Sequence, residues 1–268
     1  LWQRIEGQNL QQLKYGTSSA ESLTLSFWVK SSKTGTYIVE LYQPDGTRGI
    51  SKAYTINASN TWEKKTITYA GDTSGTINND NGAGLDVYFF LSAGSNYQSG
   101  TLATSWQGYS AGDECVGQVN LADSTDNNWW ITGVQLEVGT SASDFEFLPY
   151  DVNLQRCYRY CQKWIPNSGS VAMRLGQGAI MDTQNMYFAA FPSVEMRTKP
   201  SLTLNSPTDW RIFHRGTVAP TTNLTFETHG TNQVFNFLAT VSSGLTSGDC
   251  GQLIGNSTSN YALFDAEL

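Results

Sequence analysis

The chain has 268 residues and a formal net charge of −7 at pH 7, enough length for two ordinary domains that each bury a core without covalent staples. Only 15% of residues are charged, 12% are aromatic and 25 are glycine, the composition of a polar, turn-rich β protein. The negative charge and the lack of a Lys/Arg cluster exclude a nucleic-acid partner. No apolar run approaches bilayer-spanning length, so no membrane partner is expected.

The sequence starts at Leu1 without a methionine, and Trp2 to Leu13 reads as the interior of a longer polypeptide. A preceding region that attaches to a larger assembly is therefore expected. From Ser22 to Lys30, Leu23, Leu25, Phe27 and Val29 alternate with Thr24, Ser26, Trp28 and Lys30, the period of a half-buried strand. Tyr37 to Tyr42 follows, and the Pro44-Asp45-Gly46 turn predicts a hairpin into Ile50 to Ile56. Further strands are predicted at Trp62 to Tyr69, Leu85 to Leu91 and Trp129 to Val138, joined by polar loops at Gly71 to Gly84 and Ser92 to Asp113. Antiparallel strands with long connections of this kind predict a sandwich, most simply a jelly roll.

The pattern stops near Val138-Gly139. Residues 143–165 are read as a connector after a first domain at 1–142. In it, Leu154, Cys157, Tyr158 and Cys161 have helical spacing behind Asp151 as N-cap, although Tyr158 to Trp164 also fits a strand. Residues 166–268 form the second domain, with strands predicted at Met186 to Phe191, Ser201 to Leu204, Trp210 to His214, Leu224 to Glu227, Val234 to Val241 and Tyr261 to Leu268. The expected fold class is all-β, a jelly-roll β-sandwich followed by a smaller C-terminal β-sandwich. The four cysteines, Cys115, Cys157, Cys161 and Cys250, show no framework spacing and are read as reduced, mostly buried thiols.

Four stretches, Arg4 to Leu10, Leu25 to Ser31, Asn60 to Lys65 and Ile131 to Gly139, together resemble a module frequent in phage tail fibres and related virion proteins, especially of marine phages. Its fold is similar to that of jelly-roll carbohydrate-binding modules. Leu154 to Tyr160 looks like the joint that follows such modules, with the order of its Cys, Gln, Arg and Tyr residues changed. Phe191-Pro192 with Glu195 to Pro200 resembles the small β domain that closes such fibres. The resemblance implies a virion-surface location, other virion proteins as partners through the preceding N-terminal region, and a homotrimer. The aromatic connector residues Leu154, Tyr158, Tyr160 and Trp164 add a physical motive for trimerisation, packing within one chain being the alternative.

The aromatic residues carry the site prediction. Trp28, Tyr88 and Phe90 fall on the polar faces of their strands, and Tyr97, Trp106 and Tyr109 lie in loops. Such rings suit stacking on a sugar; the alternative for the sheet rings is packing beneath a long loop, another domain or another subunit. Trp62, Trp129 and Trp130 are read as core or strand-end residues.

No catalytic residue is assigned. The acids Glu114, Asp123, Asp126 and Glu137 form no recognisable pair, and His214 and His229 lack a nucleophile motif. Glu6, Glu137 and the Asp123/Asp126 loop offer oxygens for calcium, but no contiguous loop motif supports it, so no metal and no cofactor are predicted. The expectation is a non-enzymatic tail-fibre or receptor-binding protein that presents loops to host-surface glycans. A head fibre or capsid decoration protein and a polysaccharide depolymerase are the alternatives.

Overall fold

The computed structural model describes residues 1–165, 174–227, 229–257 and 259–268. The chain divides into two compact units, Leu1–Phe147 and Leu148–Glu267. The expected domain start at residue 166 lies outside the described residues.

The first unit is a two-sheet antiparallel sandwich. Its strands are β1 (Trp2–Glu6), β2 (Leu23–Ser31), β3 (Gly35–Gln43), β4 (Arg48–Ile56), β5 (Glu63–Tyr69), β6 (Ala83–Phe89), β7 (Gln107–Gly108) and β8 (Trp129–Val138). One sheet has the order β1-β6-β3-β4-β7 and the other β5-β2-β8, so the chain changes sheet repeatedly in the manner of a jelly roll. The predicted hairpin is present, with Gln43 opposite Arg48 and the register running unbroken to Gly35 opposite Ile56.

The alternation read from the sequence fixes which side chains meet between the sheets. Leu23, Leu25, Phe27 and Val29 of β2 pack with Tyr37, Val39 and Leu41 of β3 and Leu85, Val87 and Phe89 of β6 in one core. Phe27 meets Tyr54 and Phe89 edge-on, at 5.1 and 5.2 Å between ring centroids, an arrangement favoured by the ring quadrupoles.

The second unit begins with α1 (Tyr150–Tyr158) and β9 (Cys161–Trp164). Helix and strand thus both occur in the segment where either was expected. Pro149, not Asp151, holds the N-cap position, and Asp151 lies in the first turn, where its charge complements the helix dipole. Helix α1 buries none of its residues. The remaining strands are β10 (Arg174–Ile180), β11 (Asn185–Ala190), β12 (Ser201–Leu204), β13 (Trp210–His214), β14 (Thr217–Phe226), β15 (Phe235–Val241), β16 (Cys250–Gly255) and β17 (Ala262–Asp265).

Where a smaller sandwich was expected, six strands close into a barrel, β10-β11-β15-β14-β13-β16, beside a three-stranded sheet, β12-β17-β9. One core serves both: Phe188 stacks on Phe237 at 4.7 Å, and Phe264 of the small sheet lies 4.5 Å from Phe235 and 4.7 Å from Trp164. Trp164 therefore packs inside its own chain. Among the cysteines, all free, only Cys115 is buried, while Cys157 and Cys250 are exposed, which corrects the expectation of mostly buried thiols. Among the described residues no helix is long and apolar enough to cross a membrane.

The core makes a direct prediction. Phe27 is fully buried between the sheets, so Phe27→Ala should cost ~3–5 kcal/mol of unfolding free energy. Urea unfolding of the variant measures this, and a loss under ~1 kcal/mol would contradict the packing described.

Candidate functional site

The outer face of the five-stranded sheet follows from the same alternation. With Val39 and Leu41 turned into the core, Glu40 and Tyr42 of β3 point the other way, and so do Asp86 and Tyr88 of β6. Cross-strand pairing places Glu40 opposite Tyr88, Tyr42 opposite Asp86, and Trp2 of β1 opposite Tyr88 on its far side. The Trp2 and Tyr88 rings stack at 5.4 Å, and Tyr88 is followed by Phe90 at 6.2 Å, so three rings run in a row.

The segment between β6 and β8 folds onto this face. Ser51 donates its backbone N–H to the Ala103 carbonyl (2.7 Å), Val119 donates to Thr36 (2.8 Å), and the Ile38 N–H donates to the Gln118 side chain (2.7 Å). Cys115 donates its backbone N–H to Tyr97 (3.1 Å) and Tyr109 donates to Thr47 (2.9 Å), which holds both loop tyrosines at the rim. The result is an open groove of about 530 Å³. Tyr42, Tyr88, Phe90, Tyr97 and Tyr109 supply its rings, and Glu40 and Glu114 supply its carboxyls.

Four of the six predicted aromatic residues, Tyr88, Phe90, Tyr97 and Tyr109, therefore come together, and Glu40 and Tyr42 join them unpredicted. The other two do not. Trp28 lies on the outer face of the opposite sheet, 43% exposed, on the same strand face as Lys30. The Lys30 ammonium sits over Trp130 at 4.3 Å and Trp62 at 5.4 Å. Trp106 is a structural residue: it packs edge-on against Tyr15, and its indole N–H donates to the Ala70 carbonyl at 2.7 Å. Trp129 packs against the core, while Trp62 and Trp130 stand exposed at strand starts.

The electrostatics of the groove are unusual for an exposed sheet face. Glu40 is 4% exposed and Glu114 7%. Burial, with the nearby charges of Glu114 and Asp86 adding to it, pushes the Glu40 carboxyl up to about 8. Burial also raises Glu114, partly opposed by its interaction with the Tyr109 hydroxyl, and the same contact is the main reason the Tyr109 phenol is raised. Glu114 Oε1 has no hydrogen-bond partner among the described residues. Gly49 makes room for its neighbour, since a Cβ there would stand 2.6 Å from Glu40 Oε1.

Glu6, also buried, accepts from the Gln8 side-chain amide at 2.7 Å, and two further buried acids of this unit are served by cations. Asp72 accepts from Arg48 Nε at 2.6 Å and Nη2 at 3.2 Å, and Asp86 lies 3.5 Å from Arg4 Nε and accepts from the Tyr88 hydroxyl at 3.1 Å. Of the acids considered from the sequence, only Glu114 reaches the groove. Asp123 pairs with Lys33, and Glu137 accepts from Ser143 Oγ at 2.7 Å and Gln135 at 2.8 Å. Among the described residues no group of three or more His, Cys, Asp or Glu side chains is arranged to hold a metal ion. His214 of the second unit is buried, its Nε2 4.0 Å from Asp249 Oδ2.

The chain matches no protein-family model, no curated protein and no solved structure.

A pH dependence of stability follows from Glu40. Its folded-state value of about 8 lies above the ordinary 4.5, so between these limits the native chain holds a proton that the unfolded chain releases. The stabilisation is whole below about pH 4.5 and is lost as pH rises through about 8. Thermal unfolding should show a melting temperature for the first unit that falls by ~5 °C or more across this window. Glu40→Gln should flatten the slope; an unchanged slope would show that Glu40 is not its source.

Proposed function

We propose that the first unit is a glycan-binding module of a phage virion-surface protein, a tail fibre or receptor-binding protein, and that the aromatic groove is its binding site. The observation that carries this reading is the convergence of five aromatic rings and two hydrogen-bonding carboxyls in one open groove. A sugar ring presents apolar C–H faces and a hydroxyl rim, and ring faces bordered by a few polar groups complement both. The tail-fibre setting rests on the sequence resemblance, which covers stretches of both units. Homotrimerisation belongs to the same proposal, supported by a helix α1 that buries none of its residues and by a Tyr150 side chain 80% exposed.

The Glu40 and Glu114 pair favours one other reading, a polysaccharide hydrolase. Two catalytic carboxyls need opposite protonation states, one acid and one ionised. Burial raises both, Glu40 to about 8; the five converging rings favour binding as the role of the groove, and the assay below separates it from cleavage.

Binding of the purified chain to a glycan array and to host-cell polysaccharide tests the proposal. Tyr88→Ala and Tyr109→Ala should each weaken binding about tenfold, with Trp28→Ala unchanged. No binding to any glycan, or equal loss with Trp28→Ala, would overturn the site. Release of reducing ends from that polysaccharide would instead establish the hydrolase. Light scattering should give a trimer mass, and imaging should place the protein on the tail; a monomer, or density on the head lattice, would remove those parts of the proposal.

A further inference from the structure

The groove buries two acids beside which it places no cation, an arrangement that a neutral ligand does not require. Glu40 and Glu114 are both more than nine-tenths buried, yet neither has a cation. Glu114 Oε1 is unpartnered, and no hydrogen bond to the Glu40 carboxyl is made among the described residues. The cations on neighbouring elements are committed elsewhere. Arg4 lies at Asp86 and over the Trp2 ring at 4.0 Å, Arg48 is held by Asp72, and Lys52 donates to the Thr104 carbonyl at 2.8 Å.

Burying an ionised acid without a cation costs several kcal/mol. An uncharged sugar can be held by glutamine at both positions, because an amide also bonds hydroxyl groups. Carboxyls are useful where the ligand itself brings positive charge. The walls agree: tyrosine and phenylalanine ring faces attract cations through the ring quadrupole, most strongly when water is excluded.

Resting on the glycan reading above, we propose that the groove takes a saccharide bearing an ammonium group, with the charged nitrogen held by Glu40 and Glu114 inside the ring of Tyr42, Tyr88, Phe90, Tyr97 and Tyr109. The two carboxyls are the charge-selecting residues and the rings supply the apolar contact. On binding, the cation replaces the proton on Glu40, so complex formation releases protons to the buffer at neutral pH.

Titration calorimetry on the full chain, with two pairs of probes, tests this. The first pair is an oligomer of glucosamine in slightly acidic buffer and the same oligomer fully N-acetylated, which is uncharged. The second is choline and 3,3-dimethylbutan-1-ol, which has the same shape with carbon in place of the ammonium nitrogen. The amine oligomer and choline should each bind about tenfold or more tightly than their uncharged counterparts. Glu40→Gln and Glu114→Gln should each reduce that ratio severalfold, and the double variant should abolish it. Tyr88→Ala should weaken both members of the saccharide pair.

Equal binding of the charged and uncharged members overturns the ammonium assignment and leaves the glycan reading intact. Discrimination of choline from its isostere without binding of either oligomer supports the cation site and removes the saccharide. No binding by any of the four probes overturns the ammonium assignment, and the glycan reading then stands or falls on the array alone. The glutamine variants are isosteric and relieve a buried acid, so their folding, followed by thermal unfolding, should be at least as stable as that of the parent.

Discussion

The first unit depends on one constraint, the position of β3 between two hydrogen-bonded neighbours. A strand paired on both sides cannot rotate, so each residue that faces the core forces the next one outward. Val39 and Leu41 are fully buried between the sheets, and Glu40 and Tyr42 have nowhere to go but the opposite face. A glutamate on such a face is ordinarily hydrated. Here the segment between β6 and β8 lies over it, and the acid loses its water without gaining a donor. The register that stabilises the sandwich thus also creates its least comfortable group, a pattern expected where binding and stability compete.

Much of this was legible in the sequence, for identifiable reasons. Period-two alternation marked β2 and β6, because each has one core face and one outward face, and the Pro-Asp-Gly turn marked the β3–β4 hairpin. The outward rings Tyr88 and Phe90 followed from the same pattern. Applying it to Tyr37–Tyr42 would also have flagged Glu40 and Tyr42. What alternation cannot supply is which sheet a face belongs to. Trp28 and Tyr88 have the same local signature but lie on opposite outer faces of the sandwich, and only the strand order separates them. Trp106 has a loop-like neighbourhood in sequence, yet its indole closes onto Ala70 across a long separation in the chain.

In the second unit the missed strands are β10 and β16, whose sequences, Arg-Leu-Gly-Gln-Gly-Ala-Ile and Cys-Gly-Gln-Leu-Ile-Gly, are weak strand formers by propensity. Their glycines reflect the crowding of a small barrel. A Cβ on Gly176 would stand 2.5 Å from the Phe188 ring, and one on Gly178 would stand 1.9 Å from the Tyr187 carbonyl oxygen. Phe188, stacked on Phe237, and the Tyr187 backbone fill the space that side chains at Gly176 and Gly178 would need. Without β10 and β16 the remaining strands read as an open sandwich; with them the sheet has no exposed edge in the barrel, and the unpaired N–H and C=O groups that template lateral association are absent there.

The groove is assembled from two parts that answer to different constraints. Its floor, Glu40, Tyr42 and Tyr88, is written into strands whose register the core enforces. Its rim, Tyr97, Tyr109 and Glu114, sits on a connection that is anchored by hydrogen bonds to the sheet and by Trp106, Val119 and Leu121 packed against the core, with the rim rings themselves outside that core. Changes in the rim alter what is recognised without threatening the fold, while the floor keeps the chemistry of recognition constant. Such a surface can diversify by exchange of one loop, so related chains with the same sandwich can acquire new targets without first acquiring a new scaffold.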